Sequence, residues 1–298
     1  MLTDGRLPYV DSLLTEEPPK HLFHYTGGAG LIGILDSKQM WAGRAADLND
    51  ATEQKYAPEQ ARVYIAGILE SASNLDPRVA AQLERMRDSV HFTNRQVYTV
   101  SLSAERDVLS QWRAYCPRSG GVALGLPAHH LRSVANVQGF FLARCLYDGA
   151  SQWRLIRELV DHHLESFVRQ IERDPSREAE EGERCAVSLA ADLAQYGPLL
   201  KHPTFKEEFE WRLVSRPSHV GDARLHFMPG DSGLKVYMRF DLHTPEHPTM
   251  RSEESFGGPG AIVGPSTDIG AQQQAVQHLM AQKLGFSCWH GRTGTPYR

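Results

Sequence analysis

The sequence predicts a single α+β domain with a mainly helical insertion at about 150–200, and three observations predict it. Strand-like stretches lie toward both ends of the chain, at 21–26, 208–215 and 234–240, and 96–103 in the middle alternates cleanly. Between them, 151–196 repeats its apolar positions at helical spacing. No internal repeat suggests a solenoid, and 298 residues are enough to bury a full core.

Taken in order, 1–19 is polar and closes on Pro18-Pro19, so a leader of little core value is expected, with 20–298 as the domain. A short strand at 21–26 is broken by Gly27-Gly28-Ala29-Gly30, after which Leu31, Ile32, Ile34 and Leu35 form one apolar helical face. Met40-Trp41-Ala42 reads as a second short strand, followed by a polar loop at 44–50. Residues 51–90 carry a helical period, with Pro58 near the start and Asp76-Pro77 between two helices. The alternation at 96–103 ends in polar residues, as in a strand that delivers a loop, and a helix at about 108–115 follows. Strands at 121–126 and 139–147 precede the long helices, and the charged run 172–184 reads as a solvated connector. Strands at 224–227 and 234–240, a Pro- and Gly-rich loop at 245–260, a strand at 261–263 and a helix at about 271–284 lead to the closing segment 288–298.

Composition excludes several classes. The net charge of -4 supplies no global basic field for nucleic acid, although a local basic groove remains open. Cys116, Cys145, Cys185 and Cys288 lie far apart, with neither a C-x-x-C pair nor metal-ligand spacing. With no signal peptide and no long apolar run, a cytoplasmic protein with reduced thiols and no membrane contact is expected. His162 and Glu165 share a helix face, but nothing completes a metal site. Asn49-Asp50 with Glu53 reads as a helix cap, and Trp112 with Tyr115 as core at helical spacing.

Gly28-Ala-Gly30-Leu-Ile-Gly33 is a literal G-x-G-x-x-G after a strand. A dinucleotide-binding βαβ unit does not follow from it. The preceding strand carries His24, Tyr25 and Thr26 where a buried parallel strand is apolar, and the helix after it is short for a crossover. The glycines are expected to shape a loop beside His24.

The chemistry is expected in Lys206-Glu-Glu-Phe-Glu-Trp-Arg-Leu-Val-Ser215. On a strand Glu208, Glu210 and Arg212 share one face, while Phe209, Trp211 and Leu213 point into a core. Two carboxylates and a guanidinium on one face serve each other or a ligand.

His24-Tyr25-Thr26, Leu35-Asp-Ser-Lys38 and Leu48-Asn-Asp-Ala-Thr-Glu53 resemble the opening of the bacterial domain-of-unknown-function family 2971. Further landmarks follow in order: Ser101-Leu-Ser103, Gln111-Trp112-Arg-Ala-Tyr115, Gly120-Gly-Val-Ala-Leu-Gly125, Glu208-Phe-Glu210-Trp-Arg212, Val263-Gly-Pro265 and Pro296-Tyr297-Arg298. The resemblance runs from about residue 21 to the end, and departs in Ala51, where proline is usual, and Gln111, where methionine often stands. A strand carrying His-x-Thr, a helix with Ile-Leu and a short second strand also resemble the opening of ADP-ribosyltransferase folds. That resemblance implies a split, mixed or antiparallel sheet gripping NAD at three places: His24 on the first strand, Ser101 or Ser103 in mid-chain, and the late Glu210, with Glu208 completing an E-x-E pair.

The implied function is an NAD-dependent ADP-ribosyltransferase, a toxin or phage-defence effector modifying nucleic acid or protein, with an antitoxin or defence-system partner. The alternatives are a non-enzymatic ligand-binding or regulatory module on the same fold, and an NAD glycohydrolase. In the transferase, Glu210 stabilises positive charge on the nicotinamide ribose and Glu208 orients or deprotonates the acceptor. His24 bonds the other ribose or a phosphate, with Thr26 in the same grip, and Tyr25 offers a stacking face. Arg44 or Arg212 meets the diphosphate. His24, Ser101 or Ser103, and Glu210 are expected to line one NAD-sized pocket.

Overall fold

The computed structural model describes residues 7–47, 53–71, 74–91, 95–117, 120–230, 233–248, 250, 258–285 and 288–295, with the side chains of 53 and 54 excepted. The helices are α1 (Pro8–Thr15), α2 (Gly28–Ser37), α3 (Glu53–Ser71), α4 (Pro77–Ser89), α5 (Leu109–Tyr115), α6 (Ala128–Gln138), α7 (Gly149–Arg173), α8 (Glu178–Tyr196) and α9 (Ile269–Leu284). The strands are β1 (His21–Thr26), β2 (Gln39–Arg44), β3 (Tyr98–Ser103), β4 (Val122–Pro127), β5 (Phe140–Arg144), β6 (Glu210–Ser215), β7 (Leu225–Gly230), β8 (Gly233–Asp241), β9 (Gly260–Val263) and β10 (Trp289–Arg292).

Among the described residues these strands form one mixed sheet, in the order β10-β9-β4-β1-β3-β2-β8-β7, with β6 pairing both β3 and β5. Only β9 and β10 run parallel; the other pairs are antiparallel. The sheet forks at β3. One edge of β3 is taken along its length by β6, from Thr99 opposite Val214 to Ser103 opposite Glu210. The other edge is divided: β2 meets its start at Gly43–Thr99 and Arg44–Tyr98, and β1 meets its end at the single pair Phe23–Ser103. The expected mixed α and β composition is thus present in one open sheet.

Strand alternation sorts side chains onto two faces. Leu22, Val100, Leu102, Leu124, Trp211, Leu213 and Phe240 point to a core covered by α2, α6 and α9, through Leu31, Leu35, Leu131, Val134, Val276 and Met280. On the opposite face Ala143 and Val214 meet a helical layer built on Ala61, Ile65, Leu83, Leu155, Leu159, Phe167 and Leu189. A smaller cluster of Phe23, Tyr25, Trp112, Ala123 and Ile262 lies under α5.

Three expectations need correction. The leader is not idle: α1 buries Tyr9, Val10 and Leu13, and the Tyr9 and Val10 amides donate to the Glu158 carboxylate at 2.7 and 2.9 Å. The charged run is no connector, because Asp174–Arg177 makes the turn and Glu178 onward already belongs to α8. There Glu181 is buried and bridged by Arg177 and Arg184. The glycines after β1 form the first turns of α2 rather than a loop. Gly30 is required there by close approach, since a Cβ would stand 2.1 Å from Thr26 Oγ1.

The helices between β5 and β6 complete a layer that α3 and α4 begin, so the insertion shares one core with the sheet. Leu189 is fully buried in that layer, whereas Val187 on the same helix is half exposed. Leu189→Ala should therefore cost about 2–5 kcal/mol in chemical denaturation, and Val187→Ala less than about 0.5 kcal/mol.

Candidate functional site

The local sequence does not deliver Glu208 and Glu210 as one strand. Pro203 starts a 3-10 turn that runs to Glu208, and Phe209 then takes a left-handed conformation at φ 45° before β6 begins. Phe209 is consequently half exposed rather than buried in the core, while Trp211 and Leu213 do enter it. This kink turns Glu208 back toward Glu210, and a residue the sequence reading missed joins them. Lys201 Nζ donates to Glu208 Oε2 at 2.6 Å and to Glu210 Oε2. Arg212 closes the group, with Nε on Glu210 Oε1 at 2.7 Å, Nη2 on Oε2 at 3.2 Å and Nη1 on the Pro198 carbonyl.

All four side chains are buried or nearly so. Burial by itself would raise the Glu210 pKa, but Arg212 and Lys201 outweigh it and hold the carboxyl at about 2. Burial would lower the Lys201 pKa, and Glu210 with Glu208 reverses this, so the ammonium stays charged. The Tyr147 hydroxyl accepts the Glu210 amide at 2.9 Å. Tyr115, expected in the core, is partly exposed, and its phenol pKa is raised by burial and then by the fields of Glu210 and Glu208. Lys201, Tyr147 and Tyr115 carry no motif-like spacing to the two carboxylates; only the fold brings them there.

His24 occupies the fork. Its Nδ1–H donates to the Ser101 carbonyl at 3.1 Å, which fills the gap where the β1–β3 ladder has opened. Burial lowers its pKa, partly offset by that carbonyl, so the neutral ring is favoured and Nε2 is left as the acceptor. Thr26 caps the strand with its carbonyl accepting from Cys116 Sγ at 3.5 Å. The expected shared pocket is not formed. Phe23 pairs with Ser103, so Phe23, Ser101, Ser103, Glu210 and Arg212 face one side, and His24, next to Phe23, faces the other with Leu124.

Other assignments change with the packing. Tyr25 is buried edge-on against Trp112, with ring centroids 4.6 Å apart, and its hydroxyl donates to the Glu105 carbonyl and accepts the Val108 amide. It has no face for a ligand. Ser103 Oγ is likewise occupied, donating to the Glu208 carbonyl at 2.7 Å and accepting the Glu105 amide at 3.0 Å. The Arg44 guanidinium is closed on Asp47, at 3.0 and 2.5 Å. Arg212 is fully buried. The Asn49-Asp50 and Glu53 cap and the closing Pro296-Tyr297-Arg298 lie outside the described residues.

Two hollows flank this region. An open depression of about 570 Å³ lies between α5 and the 3-10 turn, lined by Val108, Leu109, Ser110, Arg113, Ala114 and Glu207. Ser110 Oγ is buried there with no partner among the described residues. A cavity of about 270 Å³ lies between Ala45–Ala46 and the ends of α4 and α8, with Lys55, His91, Arg95 and Pro198 among its lining residues.

Residues 111–213 match a family model described as a protein of unknown function (DUF2971), which supports the resemblance to that family. No curated protein and no solved structure matches the chain. Among the described residues no helix is long and apolar enough to cross a membrane, and no disulfide joins Cys116, Cys145, Cys185 and Cys288.

The charge arrangement has two consequences. His21, His24, His130, His162 and His243 all have pKa values lowered from 6.5, with burial the largest cause in each. The folded state then binds fewer protons than the unfolded one below that value, so melting temperature should fall as pH drops through about 6.5. A second loss should follow between about pH 4.5 and 2, where Glu210 protonates in the unfolded chain but not in the folded one. Thermal melts from pH 8 to pH 3 check both. Glu210→Ala, which takes the shared carboxylate from Lys201 and Arg212, should cost about 3–5 kcal/mol at neutral pH.

Proposed function

We propose that this chain is an NAD-consuming ADP-ribosyltransferase whose dinucleotide lies across the fork of the sheet. The observation that carries the reading is the adjacency β1–β3–β6, which sets the three segments matched to the NAD grip on neighbouring strands with the ladder open at His24. Because His24 and Glu210 face opposite sides, a ligand in this reading reaches both only at the fork, where the His24 ring has to give up the Ser101 carbonyl to admit it. His24 Nε2 accepts from a ribose hydroxyl on one side, and the nicotinamide end takes the depression lined by Ser110, Arg113 and Glu207 on the other.

In this mechanism the glycosidic C–N bond breaks with its electron pair leaving on nicotinamide, and the Glu210 carboxylate stabilises the positive charge left on the ribose. The acceptor's nucleophile forms the new bond to that carbon and gives its proton to Glu208. The acceptor is a macromolecule, nucleic acid or protein, as suits a cytoplasmic toxin or phage-defence effector held by an antitoxin or defence-system partner. If water takes the acceptor's place, the same site is an NAD glycohydrolase.

One observation favours a second reading. Both oxygens of Glu210 are already bonded to Arg212 and Lys201, which suits a structural ion network in a module that binds without turnover. Titration calorimetry with NAD and an assay of nicotinamide release separate the two. The transferase requires binding and release, with His24→Ala weakening binding by about 1–3 kcal/mol. Glu208→Gln leaves Arg212 on Glu210, so it should keep the fold and reduce transfer to a lysate-derived acceptor pool more than hydrolysis. Glu210→Gln should abolish release while NAD affinity stays within a few-fold. NAD binding without release supports the module, and absence of NAD binding ends both NAD readings.

A further inference from the structure

The wing β2–β8–β7 carries a row of rings that its core does not use. On one side Met40, Ala42, Met238 and Phe240 are buried under α6. On the other, Trp41 stacks on Tyr237 with centroids 4.5 Å apart and planes 25° from parallel, and His226 continues the row on Tyr237 at 5.7 Å and 34°. Trp41 remains 52% exposed, so its outer π-face is open. Lys235 and Arg239 alternate with Tyr237 on the same face, Arg239 opposite Trp41 and Lys235 opposite Met228. Both are exposed, and neither has an ion-pair partner among the described residues.

The register places this face relative to the candidate site. Gly43 pairs with both Tyr237 and Thr99, and Thr99 alternates with Ser101 and Ser103, which stand opposite Arg212 and Glu210. The rings and the two cations therefore lie on the face that carries Glu210, beginning one strand away from β3. A cross-strand ring pair can serve only to steady a hairpin. That role does not account for cations spaced on either side of the rings with no ion-pair partner among the described residues, nor for the largest ring being left half in solvent.

We propose that the outer face of the β2–β8–β7 wing binds single-stranded nucleic acid, with Trp41 as the stacking platform and Lys235 and Arg239 on the phosphates. An unpaired base offers a π-face to Trp41, whereas a duplex hides its base faces in its own stack. The attraction is local and modest, because the chain as a whole carries a net charge of -4. As the acceptor of the transferase, this nucleic acid rests on the preceding reading; as a bound ligand it does not.

Fluorescence anisotropy of a labelled mixed-sequence strand of roughly 20 nucleotides, as DNA and as RNA, tests it without NAD. Binding should weaken with salt at a log–log slope near −1.4, about −0.7 for each of two phosphates. Trp41→Ala should weaken it roughly five- to 150-fold, and Trp41→Phe much less. Arg239→Gln with Lys235→Gln, both on exposed positions, should flatten the slope without loss of melting temperature. No binding at about 50 mM salt overturns the proposal, as does equal binding of the matching duplex. Wild-type affinity in both the Trp41→Ala and the charge variants overturns it too. Absence of strand binding with nicotinamide release intact would overturn this proposal and leave the transferase reading standing, and intact strand binding without release would remove the transferase alone.

Discussion

The hydrogen-bonding capacity of one short strand governs the rest of this structure. A strand has two edges, and β3 gives one of them wholly to β6. Its remaining edge is shared by β1 and β2, which are joined through α2 and cannot both lie along it. The ladder therefore opens, and the carbonyl of Ser101 is left facing the gap. A buried carbonyl without a donor is costly, and the His24 ring supplies the donor. One constraint thus explains the fork, the conformation of His24 and the strand adjacency on which any NAD site depends.

The second organising feature is the group formed by Lys201, Glu208, Glu210 and Arg212. Removing four charged groups from water is expensive, and the mutual attraction of two cations and two carboxylates offsets that only when each is bonded well. The kink at Phe209 makes this possible by folding Glu208 back to the ammonium that also holds Glu210. A group tuned in this way keeps Glu210 ionised under all ordinary conditions, which is what a stabiliser of developing positive charge needs. It also occupies the carboxylate's lone pairs, so any catalytic use requires Lys201 or Arg212 to yield a bond to the substrate.

Much of the fold was legible. Strand alternation at 98–103 and 210–215 and the helical period of the long insertion come from local side-chain spacing, which a sheet or a helix turns directly into faces. Other features escaped for identifiable reasons. Tyr25 is an exposed-looking aromatic between polar neighbours, yet its ring is needed under α5 against Trp112. Glu181 sits in a run of charges that reads as solvated, yet the first turn of α8 brings Arg177 and Arg184 onto it. Lys201 stands between Leu199-Leu200 and His202-Pro203 with nothing to mark it.

The sequence by itself determined which residues alternate, which stretches are helical, and that Glu210, Ser101, Ser103 and His24 sit on strands. These are local properties, set by spacing and by the two periods of the backbone. Only the tertiary structure decided which face each of them takes at a common strand, and which charges meet. A face is a matter of register between strands far apart in the chain, and register is fixed by long-range pairing that no local pattern encodes. That is why His24 and Glu210, aligned in the sequence as parts of one grip, stand on opposite sides of the sheet, while Trp41 and Tyr237, read in the sequence only as strand residues, share the face of Glu210.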